Sequence, residues 1–135
     1  MSKWTVRGTI AGTTDRELGS RTRMTWNRAR PNSRREPSLF AKAVPRNVVT
    51  LPLIRQFVRS ATSIGANYCE ADDAVSRKEF HCKIAICKKE SRETKYWIQM
   101  LVAAEPAMAE QAKPLWLEAK ELHLIFTTIV RRTKQ

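Results

Sequence analysis

The sequence predicts an all-α fold, a helical bundle, on three observations. Apolar residues recur at alternating steps of four and three through long stretches after residue 50. Helix start and stop signals punctuate those stretches: Pro52, the pair Ser76 and Glu79, and Pro106. The first 50 residues show no sustained period and carry glycine, proline and arginine instead.

The chain has 135 residues, 42% of them hydrophobic, which suffices for one core but not for two. Its formal charge of +12 makes polyanions natural partners, but the distribution matters more than the sum. Residues 1–50 hold eleven Lys and Arg against Asp15, Glu17 and Glu36, a surplus of eight, whereas residues 51–135 hold fourteen against ten. Residues 1–35 therefore read as a basic, disordered arm, and residues 36–135 as the helical domain. No apolar run approaches the ~18 residues that a membrane helix needs, and the contiguous apolar segment of a signal peptide is missing. The cytoplasm is the expected compartment, with no membrane partner. Cys69, Cys82 and Cys87 are odd in number and form no C-x-x-C motif, so neither a disulfide framework nor a zinc site is indicated.

The first long helix covers residues 51–71. Thr50 can cap it, Pro52 suits its first turn, and Ile54, Val58, Ala61, Gly65 and Tyr68 make its core stripe. Gly65 costs about 1 kcal/mol relative to alanine inside a helix. On the stripe its missing side chain lets a neighbouring helix approach closely, which makes Gly65 and Tyr68 helix-packing positions; the alternative is a weak point tolerated in a helix stabilised elsewhere. Ser76 and Glu79 then fit a capping box, S-x-x-E, and open a helix running to about Ala103, ~40 Å at 1.5 Å per residue. Its core stripe is Phe80, Ile84, Cys87, Ser91, Thr94 and Ile98. Pro106 ends that run, and Leu115, Ala119, Leu122, Phe126 and Ile129 mark the last helix. Pro114 either starts that helix or kinks a longer one, because an internal proline costs about 3 kcal/mol.

The faces away from the core are less ordinary. A 100° step per residue gathers Gln56, Ser60, Ser63 and Asn67 on the first long helix, beside Arg55, Arg59 and Glu70. On the second, Ile86, Trp97 and Met100 form another apolar strip next to Glu79, Glu90 and Glu93, and on the last helix Leu117, Leu124 and Thr128 lie together, with Ile125 close by. Two such strips per helix indicate subunit contacts as well as an internal core, with Ser63, Asn67, Trp97, Leu117 and Leu124 at the oligomer interface. An intramolecular core wide enough to use both strips is the alternative.

The second long helix also carries a one-signed arc of Arg77, Lys78, His81, Lys88, Lys89, Arg92 and Lys95, with Tyr96 among them. Like charges four residues apart disfavour a helix by ~0.2–0.5 kcal/mol. Phosphate contact would compensate, since each neutralised phosphate releases counterions, and an aromatic beside the arc can stack on a base. The competing reading is a solvated face partly neutralised by Glu90 and Glu93. Catalytic constellations are scarce. His81 and His123 sit on different helices, and His81 points about 100° away from Cys82, so no Cys-His pair follows from adjacency. A di-metal site of the carboxylate-bundle kind needs Glu-x-x-His, and Glu90-x-x-Glu93 reads better as a polar strut paired with Arg or Lys. No Gly-rich phosphate loop or Ser-His-Asp set is visible, so no metal, cofactor or enzymatic role is expected.

TSIGANYCEA, the SRKEF helix start, KIAICKKESRETKYW and the final KELHLIF fall in order over residues 39–134. In these motifs the chain resembles the bacterial four-helix-bundle proteins called 23S ribosomal RNA intervening-sequence proteins. The resemblance implies an antiparallel up-and-down four-helix bundle that assembles into a ring-like homopentamer. A related branch serves as the accessory protein of diversity-generating retroelements, where a basic pentameric bundle binds a reverse transcriptase and nucleic acid. Carried over by position, the family signature falls on Ser63, Gly65, Asn67, Tyr68 and Glu70 and on Lys89, Glu90, Glu93 and Trp97, none of them a known catalytic residue. The long first helix of such proteins is truncated here: only its last turns, about Ser38 to Val44, are recognisable. The expected function is a non-enzymatic oligomeric scaffold that binds RNA or DNA, or a protein partner such as a reverse transcriptase, through its basic surface. A purely protein-protein assembly module is the alternative.

Overall fold

The computed structural model describes residues 36–133. The basic arm expected over residues 1–35 lies outside them. Four helices follow in order: α1 (Glu36–Ala43), α2 (Thr50–Asp72), α3 (Arg77–Ala104) and α4 (Ala109–Thr133), with a 3-10 turn at Pro106–Met108 before α4. Short connections make consecutive helices antiparallel neighbours. α3 packs along both α2 and α4, whereas α1 touches α2 and α4 at one end of the bundle. The described residues include no strand and no helix long and apolar enough to cross a membrane.

Two apolar clusters fill the interior. One joins Ile64 and Ala71 of α2, Phe80, Ile84 and Cys87 of α3, and Leu122, Phe126 and Ile129 of α4. The other joins Phe40 of α1, Phe57 of α2, Ile98 and Leu101 of α3, and Ala112 and Leu115 of α4. The Phe40 and Phe57 rings meet edge to face at 5.5 Å, which anchors α1. Between the clusters lie the buried hydroxyls of Ser60, Ser91 and Thr94. Ser60 donates to the Phe57 carbonyl at 3.1 Å, and Thr94 Oγ1 stands 3.0 Å from Ser60 Oγ, linking α2 to α3. Ser91 donates to the Cys87 carbonyl at 2.7 Å, so these buried hydroxyls are satisfied without water.

The core stripes expected on α3 and α4 are buried at every position. The stripe on α2 is rotated from the expected one. Ile54, Phe57, Ser60, Ile64 and Ala71 are buried, while Val58 is exposed and Ala61, Gly65 and Tyr68 are half-buried. Ser60, read from the sequence as part of a polar face, is completely buried because Thr94 offers it a partner.

Two helix ends differ in detail from those expected, and a third takes one of the two alternatives read for it. Thr50 does not cap α2. Asn47 does: its Oδ1 accepts the Val49 and Thr50 N–H groups at 2.9 Å each, and its carbonyl accepts Leu51 N–H at 3.1 Å. Thr50 instead donates its hydroxyl to the Pro45 carbonyl at 2.6 Å and is fully buried. At α3 the capping box is half as expected. Ser76 Oγ accepts Glu79 N–H at 3.1 Å, but Glu79 Oε2 reaches back to the N–H of Val75 at 3.0 Å, one residue before the cap. The third is α4, which begins before Pro114 and carries that proline inside it, five residues past Ala109. Its missing N–H forfeits the bond that would otherwise go to the Glu110 carbonyl in the second turn, a cost that the packing of α4 offsets. Replacing Asn47 with alanine is expected to cost about 1 kcal/mol in urea unfolding, and aspartate in its place is expected to retain most of the stability.

Candidate nucleic-acid interface

α3 presents two flanks of opposite electrostatic character. Its flank toward α2 is neutralised. Arg59 of α2 places Nη1 3.2 Å from Glu90 Oε2 and Nη2 against Glu93, while Lys83 pairs with Glu70 of α2. Glu90 is only 6% exposed, so the arginine is what makes a carboxylate tolerable there. Burial opposes the Arg59 charge, yet the hydrogen bond it donates to Glu93 and the charges of Glu90 and Glu93 outweigh it and hold the guanidinium above its ordinary range. Glu90-x-x-Glu93 is thus the arginine-paired strut that its spacing predicts.

The flank toward α4 is cationic. The 100° step puts Arg77, His81, Lys88, Arg92 and Lys95 within about 60° of one another on α3. His81 Nδ1 lies 2.7 Å from Thr133 Oγ1, which fixes this flank against the last turn of α4. Lys78, Lys89 and Tyr96 turn further outward and are exposed, and the Tyr96 ring rests edge-on against Trp97 at 4.9 Å. Arg77, Lys78, Lys88, Arg92 and Lys95 make no ion pair among the described residues; Lys89 alone of the arc has one, to Glu93 at 4.0 Å. The structure therefore gathers Arg77, His81, Lys88, Arg92 and Lys95 on the flank toward α4, while Lys89 of the predicted arc reaches the acidic side at Glu93.

One member of this surface escapes the sequence reading. His123 of α4 lies half-buried at the same seam. Burial lowers its pKa, and the charges of Lys95, Lys88 and Arg92 lower it further, so the ring is neutral at pH 7. Its spacing shows that it borders the α4 core stripe, but not which neighbouring helix it meets.

The other singled-out residues fall in different places. Asn67 Nδ2 donates to the Ser63 carbonyl at 2.9 Å and reaches Ser63 Oγ at 3.0 Å, both residues being half-buried. Trp97 packs on the cluster that contains Ile98 and Leu101. Leu117 and Leu124 remain 48% and 58% exposed on the outer side of α4. Ile125, expected near them, packs instead against the Phe126 cluster. Gly65 sits at the rim of the α2 core stripe, and the Tyr68 ring lies 6.2 Å from that of Phe126. Burial pushes the Cys87 thiol up to about 12, leaving it inert as a nucleophile, and no group of three metal-ligating side chains occurs among the described residues.

Fold and surface together define a small all-α bundle with one neutralised and one cationic seam. The chain belongs to the family described as 23S rRNA-intervening sequence protein, which matches residues 25–128. Among solved structures it is similar to a protein of unknown function from the S23 ribosomal protein family of Bacteroides thetaiotaomicron. The two are 32% identical, the match covers 71% of this chain and 88% of that one, and the TM-score is 0.60. No curated protein matches the chain.

Proposed function

We propose that this protein is a non-enzymatic, oligomeric helical scaffold that binds structured RNA along the seam between α3 and α4. The observation that carries this reading is the cationic flank: five Lys and Arg side chains without an acidic partner among the described residues, on a helix whose other flank pairs Lys83, Glu90 and Glu93 with α2. From Arg77 to Lys95 the arc extends over ~27 Å of helix, long enough to follow several phosphates of one strand. Exposed Tyr96 borders the arc and offers a ring for stacking. A mobility-shift titration of the full chain against a structured RNA over a salt series tests the reading. Complexes that form at about 50 mM salt and weaken steeply as salt rises are the expected result, and no complex at low salt overturns it.

Assembly is supported separately by Leu117 and Leu124, which stand on the side of α4 opposite its core. Such side chains suit contact with further copies, in the pentameric ring that the resemblance implies. The double substitution Leu117→Glu and Leu124→Glu is expected to reduce the subunit number without unfolding the bundle, as read by light scattering and far-UV circular dichroism. An unchanged mass would place the interface elsewhere. These same leucines favour a second reading, an assembly module with no nucleic-acid ligand, which the charge reversal in the Discussion separates from the first.

A further inference from the structure

The cationic seam contains a feature that a plain electrostatic surface does not need. His123 is half-buried on α4 ten residues before Thr133, whose hydroxyl meets His81 of α3, so in the antiparallel pair it stands level with Ser91 and Arg92, near Lys88 and Lys95 of the same flank; burial and these cations lower its pKa. Lys88, Arg92 and Lys95 come from α3 and His123 from α4, so the cluster is assembled only when the two helices pack. We propose that His123, together with Lys88, Arg92 and Lys95, forms a phosphate subsite that takes up an RNA backbone phosphodiester along with one proton. This rests on the RNA-binding reading above and assigns it a specific place and a specific chemistry.

The groups around His123 support that assignment. α2 meets α4 only through core side chains such as Tyr68 and Phe126, and the charges acting on the ring come from α3. On α3 they are Lys88, Arg92 and Lys95, all positive. On α4 the nearest is Lys120, one turn earlier, whose Nζ lies over the Trp116 ring at 5.5 Å from its centroid. Glu118 and Glu121 stand about 140° and 160° around α4 from His123, and Glu93 is drawn to Arg59 on the far flank of α3. The adjoining α4 positions Ala119, Phe126 and Thr127 carry no charge, and the Thr127 hydroxyl is spent on the His123 carbonyl at 2.6 Å. With no carboxylate facing the ring, the arriving phosphodiester would supply the negative charge that lets the imidazole hold a proton and donate from both nitrogens.

The sign follows directly. In the free protein the cations and burial hold the His123 pKa below its ordinary value; an anion seated among them offsets their charge and raises it. Binding therefore takes up a proton, and affinity rises as pH falls from neutrality through the complexed pKa. It stops rising once the free protein is protonated as well.

The test uses the full chain and one structured RNA at low salt. Affinity is measured at pH 7.5 and 5.5 for the wild type, His123→Gln and, because His81 lies on the same flank, His81→Gln. In parallel, the His123 ring resonances of the wild type are titrated with and without RNA. The expected result is about 3–6-fold tighter wild-type binding at the lower pH, at most one proton's worth of dependence, retained in His81→Gln and lost in His123→Gln. The His123 pKa is expected to rise by roughly one unit in the complex. RNA binding with a His123 pKa that does not move, or a pH dependence that persists in His123→Gln, overturns the subsite while leaving RNA binding intact. Absence of binding at both pH values overturns the broader reading, and the subsite falls with it.

Discussion

Phe126→Ala is expected to lower the stability of the bundle by about 3–5 kcal/mol, a large share of the roughly 5–15 kcal/mol that holds a domain of this kind together. The ring is completely buried at the centre of one apolar cluster, with Ile64, Ile84 and Leu122 as fellow members and the Tyr68 ring 6.2 Å away. Tyr68 belongs to α2 and Phe126 to α4, two helices whose backbones do not approach each other, so this aromatic pair joins elements that otherwise communicate through α3. Truncation would leave a cavity and remove that bridge together. Urea unfolding at a single protein concentration measures it, since the proposed assembly would make stability concentration-dependent. A lower midpoint with an unchanged slope is expected, and Leu124→Ala, being exposed, should stay within about 0.5 kcal/mol of the wild type. Equal midpoints for Phe126→Ala and the wild type would contradict the packing described.

Reversing charge at Lys88 and Arg92 is expected to weaken RNA binding about 10–100-fold at low salt. Each lost phosphate contact should also flatten the salt dependence by roughly 0.9 in log-log slope. Both side chains lie on the α4 flank of α3 with no ion-pair partner among the described residues, so reversal breaks no ion pair there. The folded protein should therefore survive, which circular dichroism checks. Control reversals at Lys42 and Lys113, exposed and away from the seam, should change affinity far less. If all four reversals act alike, binding depends on overall charge alone. If none acts, the assembly-only reading takes over.

Much of the bundle is legible in the residues themselves. The stripes of α3 and α4 and the stop at Pro106 follow from period and punctuation, because those helices bury large aliphatic and aromatic side chains at regular steps. α2 is harder. Phe57 and Ile64 mark its true stripe, but Val58, Ala61 and Tyr68 sit one flank over and supply an equally regular period. Only the partner helix decides between them, and it does so partly through a hydroxyl, Ser60, whose burial depends on Thr94 lying 34 positions away. The Asn47 cap was hidden for a related reason: it begins three residues ahead of the helix proper, in a loop braced by Thr50 and by a bond from Asn47 Nδ2 to Glu105. In the candidate site the cationic arc was visible as a run of one sign on one helix. His123 was not, since a lone histidine beside a core stripe gives no indication of what it faces until two helices are placed side by side.

The hydroxyl layer between the two greasy clusters has a consequence for how the rods align. Leucines, isoleucines and phenylalanines would tolerate α2 sliding one turn along α3, trading one set of methyl contacts for another. Ser60 and Thr94 would not: each keeps a carbonyl of its own helix, Phe57 and Glu90, but a slip of that size breaks the 3.0 Å bond between them, at about 0.5–1.5 kcal/mol. Together with the Arg59 fork that grips Glu90 and Glu93 one turn outward, they act as a vernier that admits a single setting.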